Sequence, residues 1–257
     1  MGGDRISLTN LTPAGTEPHD WEPTSKDIIR LEKADVFLYN GAGMEHWVDQ
    51  VLATLSSEGL LSVEVSQGIS LLDETEDVSG KPLNSVDPHI WLSIPRAKEE
   101  MRTIKEAFCK ADPEGASIYE ANYQKYAAEF DALDAEFRET LGALPNKNIV
   151  VAHQAFSYLC ADYGLNQVAI EGLAADSEPD PARMKEIIAF ARENGVKVIY
   201  FEELVSPKVA ETIAAEIGAK TAVLNPLEGL TQEQLDKGED YLSIMRQNLA
   251  TLEAENR

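Results

Sequence analysis

The chain carries only four histidines among its 257 residues, and three of them stand in related settings. His19 lies in Thr16-Glu17-Pro18-His19-Asp20-Trp21, and His89 lies in Asp87-Pro88-His89-Ile90-Trp91, so a Pro-His-x-Trp frame occurs twice. His153 directly follows the apolar run from Asn148 to Ala152. A neutral imidazole is the commonest side-chain ligand for a borderline metal. A zinc site wants four donors drawn from His, Cys, Asp and Glu. Taken singly, a loop histidine is an ordinary surface or hydrogen-bonded residue. Three histidines at the ends of expected strands, two of them in a repeated frame, point together to one metal ion. Asn225-Pro226-Leu227-Glu228-Gly229-Leu230 supplies the fourth donor, because Glu228 follows the last expected strand as the histidines follow theirs.

Neighbouring residues have paired readings. Glu17 and Asp87 precede the two Pro-His pairs and are candidates to hold ring N–H groups, with turn formation an equal role. Trp21 and Trp91 either dry the site and hold its loops or serve as core aromatics. His46, in the expected first turn of a helix after Gly41-Ala42-Gly43, reads as a surface residue. Three histidines and a carboxylate fill four positions, which suits a closed site that holds metal. The same residues would make a zinc hydrolase if Glu228 were a general base beside a three-histidine zinc, and spacing leaves that alternative open. The chain contains no His-Glu-x-x-His, Gly-x-Ser-x-Gly or P-loop motif.

These residues need elements to position them. Ile6 to Leu11 alternates as a strand should. Thr24 or Ser25 can cap a helix through Lys33 with Ile28, Ile29 and Leu31 facing inward. Asp35 to Asn40 reads as a buried strand, Glu45 to Ser56 as a helix and Leu61 to Val65 as a strand. Residues 73 to 86 are acidic and turn-rich and read as an exposed loop. A helix from Pro95 to Lys110 precedes a long stretch from Glu114 to Leu144, whose stripe is Ala121, Tyr123, Tyr126, Phe130, Leu133, Phe137 and Leu141. Pro145 ends that stretch too early for a coiled coil, so it reads as one helix joining two lobes. Strands at 149–152, 167–170, 196–201 and 221–224 then alternate with helices at 156–163, 181–194 and 207–217. Asp180 is the expected cap of the middle helix, and a last helix covers 240–253. This alternation predicts an α/β fold of two lobes with mostly parallel sheets flanked by helices. The expected boundaries are 1–112 for the first lobe, 113–144 for the linking helix and 145–257 for the second lobe. Ligands in such sheets sit beyond the carboxyl ends of the strands.

A formal charge of −23 argues against nucleic-acid partners and against an anionic membrane face. It keeps the chain soluble and gives a field that concentrates cations. No run approaches the length of a transmembrane span, and Met1 to Arg5 hold no signal-peptide hydrophobic region. Cys109 and Cys160 stand far apart, each without a C-x-x-C partner, and read as buried free thiols.

The whole set resembles the metal-receptor proteins of bacterial ABC importers, in their zinc- and manganese-binding cluster. The resemblance rests on Pro13 to Thr24, Asn40 to Glu45, Asp87 to Leu92, His153 to Tyr158, Phe201-Glu202-Glu203 and Asn225 to Thr231. It implies two α/β lobes joined by one long rigid helix, with metal in the cleft bound by His19, His89, His153 and Glu228. It also implies an extracytoplasmic monomer, in the periplasm or lipid-anchored at the cell surface, that delivers its ion to a membrane permease. A third imidazole where the manganese branch usually has a carboxylate favours zinc, with manganese the alternative. An adhesive role is a secondary implication. Three departures stand out. The acidic loop at 73–86 holds no histidine, so a metal-gathering loop is absent or reduced. Ser93 and Ile94 replace a common Asp-Pro and are expected to alter the surroundings of His89. A leader, strand and helix expected ahead of Gly2-Gly3-Asp4 are missing.

Overall fold

Local sequence signals account for most element boundaries in the computed structural model, which describes residues 1–57, 59–76, 82–173 and 181–257. Helix α1 (Ser25–Leu31) starts at Thr24, whose backbone N–H donates to Asp27 Oδ2 at 2.9 Å as one arm of a capping box. Strands β1 (Val36–Tyr39) and β2 (Leu61–Glu64) flank the short helix α2 (Val48–Leu52) and pair in parallel, Val36 opposite Leu61. Strands β3 (Asp73–Glu76) and β4 (Pro82–Val86) form an antiparallel pair. Helix α3 (Ile94–Ala111) is capped by Ser93, whose hydroxyl accepts from the Arg96 N–H, and it carries Pro95 in its first turn.

The long helix α4 (Ala116–Gly142) follows a 3-10 turn, Pro113–Gly115. Beyond it, α5 (Ser157–Tyr163), α6 (Pro181–Glu193) and α7 (Lys208–Ile217) alternate with β5 (Asn148–Val151), β6 (Asn166–Ala169), β7 (Val198–Phe201) and β8 (Lys220–Val223). These four strands make one parallel sheet in the order β6-β5-β7-β8. Helices α5 and α7 both stop at glycines in the left-handed region, Gly164 and Gly218, each with φ of 69°. The short α8 (Gln232–Asp236) and the final α9 (Tyr241–Glu255) complete the chain.

This is the expected α/β architecture, with parallel sheets flanked by helices and a long helix between them. Helix α4 packs on α3, α9 and α5. Its buried stripe is Tyr119, Ala127, Phe130, Leu133, Phe137 and Leu141, so Tyr119 heads the stripe and Ala121 is exposed. Phe137 packs on Tyr163 with ring centroids 5.1 Å apart, and Phe130 stacks on Tyr241 at 4.9 Å. Both pairs fix α4 to the second half of the chain.

Several expectations are corrected. Ile6 to Leu11 forms no strand: it runs as irregular chain with Leu8 83% exposed. Alternation marks a strand only where a neighbour supplies the ladder, and no described strand pairs with this segment. Residues 73–86, read as a loop, hold the β3–β4 pair. Their polar composition hid the strands, because period-2 hydrophobicity is the usual signal. Ile29 is 54% exposed rather than inward-facing, since α1 is only seven residues long and buries Asp27 and Leu31. Helix α2 is shorter than its expected span. The Asp180 cap lies outside the described residues. Both cysteines are free thiols as expected, Cys160 buried and Cys109 half-buried.

Phe137 is fully buried in the main core cluster. Phe137→Ala is expected to lower unfolding free energy by about 3–5 kcal/mol, read from the denaturant midpoint at unchanged slope. A loss below about 1 kcal/mol would show that α4 is not fixed by this face.

Candidate metal centre

Each of the four chemistry-bearing residues sits where an element begins or ends. His19 lies in the irregular segment before α1. His89 follows β4 and opens a 3-10 turn, Ile90–Leu92. His153 comes two residues after β5, and Glu228 comes five residues after β8. The chain therefore draws two imidazoles from its first half and one imidazole and the carboxylate from its second.

The fold brings all four together. One ligand atom from each lies within 4.8 Å of the others. Glu228 Oε1 stands 2.8 Å from His89 Nε2, 3.0 Å from His153 Nε2 and 3.3 Å from His19 Nε2. The Nε2 atoms of His19 and His89 are 3.1 Å apart, and those of His89 and His153 are 3.3 Å apart. A tetrahedron with zinc–ligand bonds of about 2.0–2.1 Å has edges of about 3.3 Å, so these donors suit a four-coordinate ion of that size. His89, His153 and Glu228 are shut from solvent, and only the His19 side chain, 11% exposed, reaches it.

Two carboxylates set the imidazoles in place. His89 Nδ1 donates to Asp87 Oδ1 at 2.7 Å, and the same oxygen accepts the His89 backbone N–H at 2.8 Å. His153 Nδ1 donates to Glu202 Oε1 at 2.5 Å. Each bond turns Nε2 toward the centre and raises its basicity. Asp87 thus holds a ring N–H as expected. Glu17 instead accepts the backbone N–H of His19 at 3.1 Å and holds the loop rather than the ring. Glu202 is the partner that spacing did not single out. It lies 49 residues from His153, just past β7, and the sequence marked it only within Phe201-Glu202-Glu203, as part of the resemblance and with no role.

The indoles divide the two roles considered for them. Trp91 packs against the His89 ring with centroids 5.4 Å apart, and its Nε1 donates to Pro226 O at 2.7 Å. It covers the site and ties one half of the chain to the other. Trp21 packs on Trp47 at 5.4 Å, as a core aromatic. The Tyr158 hydroxyl donates to Asp87 O at 2.8 Å and accepts the Leu72 N–H at 3.0 Å, a second tie across the site. Ser93 serves the helix cap, and its hydroxyl also bonds Asp162. His46 is exposed, with Nε2 3.6 Å from Glu22 Oε1.

Without metal the cluster's hydrogen bonds favour charged histidines beside an ionised Glu228. Burial is the largest influence on His89 and His153 and opposes charge. Hydrogen bonds to Asp87 and Glu228 for the first, and to Glu202 and Glu228 for the second, outweigh it and raise both pKa values. Burial likewise pushes Glu228 up, but its bonds to the three histidines hold it well below the usual carboxylate range.

The chain matches the family described as zinc-uptake complex component A, periplasmic (ZnuA), over residues 1–255. It is 42% identical over 256 residues to the high-affinity zinc uptake system protein ZnuA of Bacillus subtilis, covering 97% of this chain and 80% of that protein. It is 38% identical over 259 residues to the zinc-binding lipoprotein AdcA of Streptococcus pneumoniae, covering 98% of this chain but only 52%, about half, of that protein. The Zn(II)-bound ZnuA-like domain of that AdcA superposes with a TM-score of 0.85 at 38% identity, covering 99% of this chain and 92% of the domain. The laminin-binding protein of Streptococcus agalactiae, described as bifunctional with adhesin and metal-transporting activity, superposes with a TM-score of 0.88 at 29% identity, covering 100% of this chain and 93% of that one.

These shifts give a prediction with a definite sign. Stability from raised histidines is complete below about pH 6.5 and is lost as pH rises through their folded values. Stability from Glu228 is present above about pH 4.5 and is lost as pH falls through its depressed value. The metal-free chain should therefore be most stabilised by this cluster between about pH 4.5 and 6.5. Metal competes with protons for these imidazoles, so chelator-competition titrations should show affinity falling as pH drops, beginning above pH 6.5. A dissociation constant that stays flat down to pH 6.5 would contradict this.

Proposed function

The chain belongs to the family of periplasmic A components of zinc-uptake complexes, and from that premise we propose that it is the zinc receptor of an ABC importer. In this reading His19, His89, His153 and Glu228 bind one Zn²⁺ outside the cytoplasmic membrane, and the monomer hands it to a membrane permease. Residues 1–112 form the first lobe, 113–144 the linking helix and 145–257 the second lobe. The ion sits between the lobes, so binding and release are coupled to how the halves meet. Trp91 to Pro226 and Tyr158 to Asp87 are the contacts that change if they part.

The observation that carries the reading is the set of donor separations of 2.8–3.3 Å around Glu228 Oε1. Three imidazoles and one carboxylate oxygen, with the two innermost rings oriented by Asp87 and Glu202, suit zinc over the harder manganese ion, which favours oxygen donors. A solute-binding receptor holds its cargo and is not an enzyme, which sets aside the hydrolase alternative. Adhesion is the secondary reading, supported by the likeness to laminin-binding proteins.

Stripping the purified chain and offering equimolar Zn²⁺ and Mn²⁺ tests the proposal by elemental analysis. One zinc per chain, not displaced by manganese, is expected. His153→Ala should weaken zinc binding by orders of magnitude with the far-ultraviolet dichroism unchanged. Unaltered zinc affinity in that variant would overturn the ligand assignment.

A further inference from the structure

Glu228 reaches the cluster from a turn that ordinary residues avoid. Leu227, directly before it, has φ of 57°, in the left-handed region. A side chain with a Cβ is strained there, and the conformation persists only where surrounding bonds impose it. Ala42 is the only other described non-glycine residue with positive φ.

The bonds that impose it converge on Asn225, which is nearly buried. Its Oδ1 accepts the Leu227 N–H at 2.7 Å, and its Nδ2 donates to Glu203 Oε2 at 2.5 Å. Glu203 Oε2 also accepts Gln234 Nε2 at 2.6 Å, and Gln234 Oε1 accepts the Thr231 N–H at 2.8 Å. The Asn225 backbone is held separately: its N–H donates to Asn248 Oδ1 at 2.9 Å, and its carbonyl accepts from Asn248 Nδ2 at 2.7 Å. The far end of the same turn is fixed as well, because Leu230 O accepts the Gly15 N–H of the His19 segment at 3.0 Å. Glu228 also borders a small space shared with Glu202, Asn225 and Gly229, with room for about one water. The carboxylate, its side chain 1% exposed, presents Oε1 to all three imidazoles.

We propose that Asn225, braced by Glu203, is a positioning residue that sets metal selectivity by locking the Leu227 turn so that Glu228 offers a single oxygen. The inference rests on the reading of Glu228 as a ligand. One oxygen and three imidazoles give a complete set for tetrahedral zinc. Manganese favours six, largely oxygen, donors, and a carboxylate free to rotate or bind through both oxygens would serve it better. The lock raises discrimination by denying Glu228 that freedom.

The test compares zinc and manganese dissociation constants, by chelator competition, for the full chain and four variants. Asn225→Ala removes the side-chain lock while leaving both backbone bonds to Asn248 possible. It is expected to weaken zinc binding about 10–100-fold and to narrow the zinc-over-manganese ratio. Adding Leu227→Gly should recover part of the zinc affinity, because glycine takes the left-handed conformation without a clamp. Glu203→Ala, at an exposed position, should move the ratio the same way by less, and it carries the test if Asn225→Ala fails to fold. Glu228→Gln is the reference. If it loses zinc while Asn225→Ala keeps both affinity and ratio, the selectivity role is overturned. A fall in zinc affinity with an unmoved ratio, not recovered by Leu227→Gly, would equally overturn it and leave only a structural role. If Glu228→Gln itself binds zinc as tightly as the unaltered chain, the ligand reading has failed instead.

Discussion

A single buried carboxylate oxygen facing three imidazole nitrogens is the constraint on which the rest of the structure depends. Glu228 Oε1 makes contacts of 2.8, 3.0 and 3.3 Å with His89, His153 and His19. Taking such a group out of water is expensive unless positive charge stands beside it. No lysine or arginine bonds Glu228 among the described residues. The compensation comes from the three imidazoles, whose bonds to Glu228 hold its carboxylate well below the usual range, and a divalent ion among the same four donors would supply positive charge directly.

The architecture follows from holding that cluster across two halves. The four-stranded sheet puts His153 and Glu228 beyond the carboxyl ends of β5 and β8. Glu202, which orients His153, comes from the end of β7 between them. The first half supplies His19 and His89 from irregular segments, and these are the parts tied across the site by Gly15 to Leu230, Trp91 to Pro226 and Tyr158 to Asp87. Helix α4 contributes no donor. Its buried aromatic face packs into the main core cluster, against α3, α5 and α9.

Much of this was legible in the residues. The repeated Pro-His-x-Trp frame, and the placement of His153 and Glu228 after apolar runs, brought out the four that converge. Helical periodicity found α3, α4, α7 and α9 within a few residues of their ends. What was not legible depends on tertiary partners. Ile6 to Leu11 alternates like a strand, but the ladder needs a neighbour the pattern cannot supply. Strands β3 and β4 were hidden by acidic, turn-rich composition. Glu202 has no fixed spacing to the histidine it orients, and the left-handed turn at Leu227 has no glycine to announce it. Ser93 looked like a change beside the ligand and proved to be a helix cap.

The central claim is that zinc is held by three imidazoles and one carboxylate oxygen. Zinc-edge X-ray absorption on the zinc-loaded chain tests it most directly. The account predicts a four-coordinate shell at about 2.0–2.1 Å whose outer-shell scattering fits three imidazole rings. A six-coordinate, oxygen-rich shell, or one with fewer than three imidazoles, would contradict it.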